Sequence, residues 1–318
     1  MIVAQTNLQQ RALKKKATKL MQKGIIIKAL SGFYYVASGS VTYECKARGS
    51  FRKSGVSPLV GDYVEFEMVG EGKGIVDKIM PRKNFVARPP VANIDKLFIV
   101  SSYTSPLPNT FIIDKMTVIA EHNGIEPIIV FNKSDMGDFS ELCSVYEKAG
   151  FKTYAVSAKS GFGYEALKEE LKGSVSAFTG NSGVGKSSLL NLILGEDRIS
   201  TGEVSEKLGR GRHTTRHTEL YELSFGGFVA DTPGFSSLEL DSGDYALKEN
   251  LSHNFRDFEP FLDSCRFTSC THTKENGCGV LKAVKDGEIA LSRHRSYIEL
   301  FDEMKTLKPW EAKKNKKN

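Results

Sequence analysis

Between residues 97 and 231 the chain runs through a series of short, unbroken apolar stretches, most of them ending in a polar segment built of Gly, Asn, Asp, Ser and Lys. Leu97-Phe98-Ile99-Val100, Pro127-Ile128-Ile129-Val130-Phe131, Tyr154-Ala155-Val156, Val175-Ser176-Ala177-Phe178 and Phe228-Val229-Ala230 lack the alternation of a half-exposed strand. They read as parallel strands covered on both faces. Between the first two, Ile112, Ile113, Met116, Ile119 and Ala120 recur at helical spacing. The expected fold of this region is therefore α/β. Ligands in such sheets gather at the carboxyl ends of the strands, so the polar segments converge in space although they are scattered in sequence.

Each polar segment has its own chemistry. Gly180-Asn181-Ser182-Gly183-Val184-Gly185-Lys186-Ser187-Ser188 has the spacing of a phosphate loop between a strand and a helix over 187–194. Its glycines let backbone N–H groups face phosphate oxygens, Lys186 reaches the β and γ groups, and Ser187 offers a magnesium ligand. Asp231-Thr232-Pro233-Gly234 follows an apolar strand, where a magnesium-side carboxylate belongs, although alone it reads equally as a turn. Asn132-Lys133-Ser134-Asp135 selects the base. The Asp135 carboxylate can accept from the N1–H and amino group of guanine, whereas adenine leaves it unpaired. Asn132 is expected to tie this loop to the phosphate loop, the Lys133 stem to cover the base, and Ser157-Ala158-Lys159 to present a backbone N–H to the guanine oxygen. In Ras-like proteins the phosphate loop comes first and the base readers last. Here the base readers come first, which implies a circular permutation that places the switch segments at the end of the domain.

The region from 24 to 79 reads as five short β-rich runs: Gly24–Leu30, Tyr34–Val36, Val41–Cys45, Tyr63–Met68 and Gly74–Ile79. Five strands with glycine turns suit a barrel of the OB type, a fold that often binds oligonucleotides. Lys46, Arg48, Arg52, Lys53, Arg82 and Lys83 lie between the strands, either as a nucleic-acid footprint or as ordinary charged loops. Residues 1–23 carry six cations and no acid, and the chain closes on Lys313-Lys314-Asn315-Lys316-Lys317-Asn318. Such ends are solvated tails or phosphate contacts. There is no apolar run of membrane-spanning length and no secretory leader, so no membrane role and a cytoplasmic location are expected. Of five cysteines, Cys45 and Cys143 read as buried structural thiols. Cys265, Cys270 and Cys278 crowd together with His272, as metal ligands rather than free thiols or a transient disulfide. Three thiolates and an imidazole suit a closed, structural zinc site. The stretch Leu281–Met304 reads as helical, with Arg293, His294 and Arg295 as a basic face for RNA.

The nucleotide motifs, together with Pro58-Leu59-Val60-Gly61-Asp62, Pro81-Arg82-Lys83-Asn84, Gly211-Arg212-His213-Thr214-Thr215 and the cysteine cluster, make the chain resemble the RsgA (YjeQ) family of circularly permuted GTPases from about 24 to 301. The resemblance implies a basic extension over 1–23, an OB-fold RNA-binding domain over 24–88, a permuted GTPase domain over 89–240, and a mainly helical zinc-binding domain with a basic tail over 241–318. It implies hydrolysis of GTP to GDP and phosphate, with one Zn2+ per chain and Mg2+ accompanying GTP. The implied partner is the small ribosomal subunit with its 16S rRNA, which stimulates a monomeric factor late in assembly. The resemblance makes Thr215 the candidate switch ligand to Mg2+ and the γ-phosphate, ahead of Thr214. A phenyl ring stands at Phe235, where Ras-like proteins carry a water-orienting glutamine, so His213 is the candidate to position water; as a lone His in a basic loop it reads equally as a solvated or RNA-facing side chain. The alternatives are action on another RNA, or nucleotide held as a structural ligand without turnover.

Overall fold

Strand alternation and apolar runs translate into two compact units, one up to Arg82 and one from Lys83 onward. The computed structural model describes residues 20–86, 89–195, 218–231 and 248–305, without the side chains of 52–54 and 231. His213, Thr215, Gly234 and Phe235 lie outside the described residues.

The first unit holds β1 (Met21–Leu30), β2 (Phe33–Ser38), β3 (Val41–Ala47), a short helix α1 (Gly49–Ser54), β4 (Tyr63–Gly70) and β5 (Lys73–Ile79). The order β1-β2-β3-β5-β4, with β4 pairing back onto β1, closes a five-stranded barrel of the OB type. Alternate residues (Ile26, Val36, Cys45, Val64, Phe66, Val76) point inward and are buried. Register shifts at Ile26/Lys28 in β1 and Glu65/Phe66 in β4 bend the strands enough to close the ring. Three of the expected nucleic-acid cations are committed within their own units. Arg82 grips the buried Asp62 through two bonds of 2.7 and 2.8 Å. Arg48 pairs with Glu67 and Asp77, and Lys83 with Asp95. Cys45 is fully buried, and burial pushes its thiol up to about 11, as an inert structural thiol requires. Cys143 is only half-buried, contrary to expectation, on a helix over 140–148 of which only Tyr146 is fully buried.

In the second unit a minimal hairpin, β6 (Phe85–Val86) with β7 (Val91–Ala92), precedes the sheet. The sheet contains β8 (Lys96–Ser102), β9 (Glu126–Asn132), β10 (Lys152–Ala155), β11 (Val175–Thr179), β12 (Glu219–Glu222) and β13 (Phe228–Asp231). Their spatial order is β10-β9-β8-β11-β13-β12, parallel except for β12, which runs antiparallel to β13. The helices α2 (Thr110–His122), α3 (Ser140–Lys148), α4 (Tyr164–Leu171) and α5 (Lys186–Leu194) connect them. Phe98, Val100, Ile128, Val130, Phe178, Leu189 and Val229 form the core on one side, with Phe98 stacked on Phe178 at 4.8 Å between ring centres. Asn109 caps α2 by accepting from the Ile112 N–H.

The C-terminal part of this unit carries α6 (Glu259–Leu262), α7 (Gly279–Lys285) and α8 (Leu291–Lys305). The single helix expected over 281–304 is thus two helices, because Gly287 takes φ 77° and turns the chain. Phe255, Phe258, Val280, Tyr297 and Leu300 form a second core that also receives Val118 of α2. The expected basic face is corrected as well: Arg293 and His294 are buried, and of the three only Arg295 is exposed. Arg293 bonds Asp114 of α2 at 2.7 Å and Asp257 at 2.7 Å, which ties the cysteine-bearing segment to the sheet's helical layer.

Candidate functional site

The carboxyl ends of β9, β10 and β11 meet in one cleft of about 510 Å³, lined by Asn132, Lys133, Asp135, Met136, Ser157, Ala158, Lys159, Gly185 and Ser188. Segments as distant in sequence as 132 and 188 therefore share a wall. The weld is the side chain of Asn132, the last residue of β9. Its Nδ2 donates to the Val184 carbonyl (2.9 Å) and its Oδ1 accepts from the Ala158 N–H (3.1 Å). One buried amide thus holds the phosphate loop and the Ser157–Lys159 loop at once.

The phosphate loop adopts its shape because glycine is required at two points. Gly180 has φ 140°, and a Cβ there would collide with the Val100 carbonyl. Gly185 has φ 91°, and its Cβ would strike the Asn132 amide. Val184 is buried and anchors the loop, while Ser182 and Gly183 are exposed. Lys186 opens α5, and its ammonium donates to the carbonyls of Gly180 (2.6 Å) and Asn181 (2.7 Å). Burial lowers its pKa to about 8. Ser187 and Ser188 stand in the first turn of α5, beside the N–H groups that favour anions. Asp231 ends β13, which pairs with the phosphate-loop strand through Ala230 and Ala177. The backbone therefore brings Asp231 to the same edge; its side chain is outside the described set.

At the Asn132–Asp135 end of the cleft, Ser134 closes its turn by donating its N–H to the Val156 carbonyl. The Ser157 hydroxyl donates to Asp135 Oδ1 at 2.7 Å, and this bond holds the Asp135 carboxyl below the usual carboxylate range, with Lys159 adding to the effect. Lys133 takes φ 62° and spreads its ammonium over the carbonyls of Thr104 (3.0 Å), Ser105 (3.2 Å) and Gly183 (2.9 Å). Two features were not foreseen. The first is Ser157 as the partner of Asp135. The second is the loop after β8, where Ser102 Oγ donates to the Thr104 and Pro106 carbonyls and so braces the prop for Lys133. The one sequence signal for that loop is its place at a strand's carboxyl end.

The cysteine cluster forms independently. Ligand atoms of Cys265, Cys270, His272 and Cys278 all lie within 4.8 Å of one another. Cys265 Sγ and Cys278 Sγ are 3.9 Å apart, and each is 3.5 Å from His272 Nδ1. A tetrahedral zinc, with bonds of ~2.3 Å to sulfur and ~2.0–2.1 Å to nitrogen, separates its ligand atoms by roughly 3.6–3.8 Å. Cys265, His272 and Cys278 thus already have about the spacing of such a shell, and Cys270 lies within 4.8 Å of each of them. The N–H groups of Gly279 and Leu281 point at Cys265 Sγ and Cys278 Sγ, as thiolate ligands require. Burial lowers the pKa of His272, in the direction of the neutral, ligating imidazole. Outside the shell, Glu275 accepts from the N–H groups of Thr271, Thr273 and Lys274 and from the Thr271 hydroxyl, organising the loop between two ligands. From α8, His294 and Tyr297 bond the carbonyls of His272 and Thr271.

Comparison with known proteins places this arrangement among relatives. The family model described as RsgA GTPase matches residues 79–241, and that described as RsgA N-terminal domain matches 23–76. A small ribosomal subunit biogenesis GTPase RsgA of Caldanaerobacter subterraneus subsp. tengcongensis is 49% identical over 286 residues, covering 89% of this chain and 96% of that protein. The crystal structure of YjeQ from Thermotoga maritima superposes with a TM-score of 0.77 at 37% identity, covering 91% of this chain and all of the other. YloQ, described as a circularly permuted GTPase, gives 0.78 at 35% identity, covering 92% and 98%.

Proposed function

Because the chain belongs to the RsgA family of GTPases, we propose that it hydrolyses GTP in the service of small (30S) ribosomal subunit maturation, binding 16S rRNA and being stimulated by the subunit. The observation that carries the nucleotide reading is the double hydrogen bond of Asn132, which joins base-reading and phosphate-binding loops into one cleft despite their reversed order. In this reading Asp135, kept ionised by Ser157, accepts from the guanine N1–H and amino group, and adenine leaves it unpaired. With the Ala158 N–H turned to Asn132, the N–H of Lys159 meets the guanine oxygen. Lys186 exchanges its two loop carbonyls for the β- and γ-phosphate oxygens.

Ser187, Asp231 and Thr215 are the residues that would hold Mg2+, which would neutralise charge on the β- and γ-phosphates. His213 is the candidate to orient the attacking water. Phe235 cannot do so, and ordering by a partner is worth on the order of 10³–10⁵ in rate for enzymes of this kind. Cys265, Cys270, His272 and Cys278 would hold Zn2+ in a closed shell that stabilises the fold and leaves no position for catalysis. Among the described residues no helix is long and apolar enough to cross a membrane, and a monomeric, cytoplasmic factor suits the assignment. Membership in a hydrolase family sets aside nucleotide as a purely structural ligand.

The test is GTP turnover measured with and without isolated small subunits. A rise of at least 10²-fold with the subunit supports the proposal. Stimulation by another RNA and none by the subunit overturns it.

A further inference from the structure

Between Cys265 and Cys270 the chain makes a tight turn whose four intervening residues, Arg266, Phe267, Thr268 and Ser269, are all exposed. The Phe267 ring is 50% exposed and lies under the Arg266 guanidinium at 5.5 Å from its centre. The backbone beneath the pair is fixed. The Arg266 N–H donates to the Gly277 carbonyl (2.9 Å), the Cys270 N–H donates to the Phe267 carbonyl (3.2 Å), and both flanking cysteines belong to the metal cluster. Gly277 lies so close that an added Cβ would meet the Arg266 Cβ at 3.0 Å.

The local charge is net positive. From 265 to 278 the sequence has two cations, Arg266 and Lys274, and one carboxylate, Glu275. Both Glu275 oxygens are engaged by N–H and hydroxyl groups of the same loop, so the carboxylate is committed to that loop and the segment keeps one net positive charge. Burying a ring of this size is what apolar chemistry favours, yet this one is held outward by a rigid turn beside positive charge. An aromatic face under a guanidinium, on a loop that also carries an ammonium group, matches an unpaired nucleobase with its flanking phosphates. A folded acidic protein surface would match the charges and leave the flat ring without a flat partner.

We propose that Phe267 and Arg266 form a stacking platform on the metal knuckle for one unpaired base of single-stranded RNA, with Lys274 on an adjacent phosphate. The proposal rests on the RNA-binding reading above and names the side chains that would carry part of it. An exposed ring on a preorganised turn binds without ordering cost, and it is sequence-tolerant because every base has a π face.

The experiment uses the full chain, a fluorescein-labelled unstructured 12-nucleotide RNA and isolated small subunits. Phe267→Ala is expected to weaken RNA binding about tenfold with zinc content unchanged, and Phe267→Trp to restore it. Lys274→Gln is expected to lower the salt dependence by about one released counterion. In a Trp310→Phe background, where the platform tryptophan is the only one in the chain, RNA should quench Phe267→Trp fluorescence. Unchanged affinity of the zinc-loaded Phe267→Ala protein, or no quenching, overturns the platform while leaving RNA binding intact. Loss of subunit binding with RNA binding retained assigns the ring to a protein and also overturns it. Failure of the unaltered chain to bind RNA overturns the underlying reading.

Discussion

Replacing Arg293 by methionine removes a guanidinium that solvent does not reach and strands two carboxylates. Arg293 and Asp114 are fully buried and the Asp257 side chain is 5% exposed. The guanidinium also lies over the rings of Phe255, Phe151 and Tyr146 at 4.8, 5.2 and 5.9 Å. Deleting one member of a buried ion pair costs about 3–5 kcal/mol, chiefly by leaving the other charge unpaired. Against a total stability of about 5–15 kcal/mol, that is a large fraction. The pH dependence follows from Asp114. Burial already raises its pKa above the ordinary value, with Arg293 the main opposing influence, so loss of Arg293 raises it further. A carboxyl whose folded pKa exceeds its unfolded value of about 4 contributes fully below that value and loses the contribution as pH rises through the folded pKa. The Arg293→Met deficit should therefore be smaller at pH 5 than at pH 8. Hydrogen exchange of the α2 and α8 amides under urea, with zinc held constant, reports this unit alone. Adding Asp114→Asn should recover part of the loss. A deficit below about 1 kcal/mol at pH 8, a deficit independent of pH, or additivity of the two substitutions within about 0.5 kcal/mol refutes the reasoning.

Asp135→Asn should weaken GTP by on the order of 10²-fold or more and admit xanthosine triphosphate, as measured by competition with a fluorescent nucleotide. Ser157→Ala removes the hydroxyl that holds Asp135 and should cost GTP affinity about 3- to 10-fold in the same assay, on the usual worth of one hydrogen bond. Lys186, with its pKa lowered to about 8, should lose its proton as pH rises through that value. GTP affinity should then decline between pH 7 and 9, and Lys186→Arg should flatten that part of the decline. Glu275→Gln should release zinc 10- to 100-fold more readily to a chromogenic chelator, since four donors of the ligand loop lose a charged acceptor.

The motifs were legible because their information is local. Glycine spacing from Gly180 to Gly185 encodes a backbone path, Asn132 and Asp135 encode a pattern of donors and acceptors, and Cys265 to Cys278 encode four ligands within one short segment. The barrel strands were legible from their alternation. What escaped depends on partners far along the chain. Arg293 looks like surface charge until Asp114, 179 residues away, arrives to neutralise it. Arg82 reads as an RNA contact until both oxygens of Asp62 take the Nε–Nη2 edge of its guanidinium. The Thr104–Ser105 prop is two backbone carbonyls, which carry no residue signature. The break at Gly287 was the converse case: a local signal outweighed by helical periodicity on both flanks.

Permutation also changes the order in which the sheet is made. Synthesis delivers β8, β9 and β10 first, whereas β11, which pairs with β8 on its far side, follows some 70 residues after β8. Until it emerges, the wholly buried Leu97–Val100 stretch has a bare edge, the kind of unpaired apolar strand that invites mispairing. Asn132 is by then already in place, waiting for a carbonyl at Val184 that has not been translated. The nascent half-sheet consequently has nowhere to seat a triphosphate, and nucleotide can reward folding only once both halves are out of the exit tunnel.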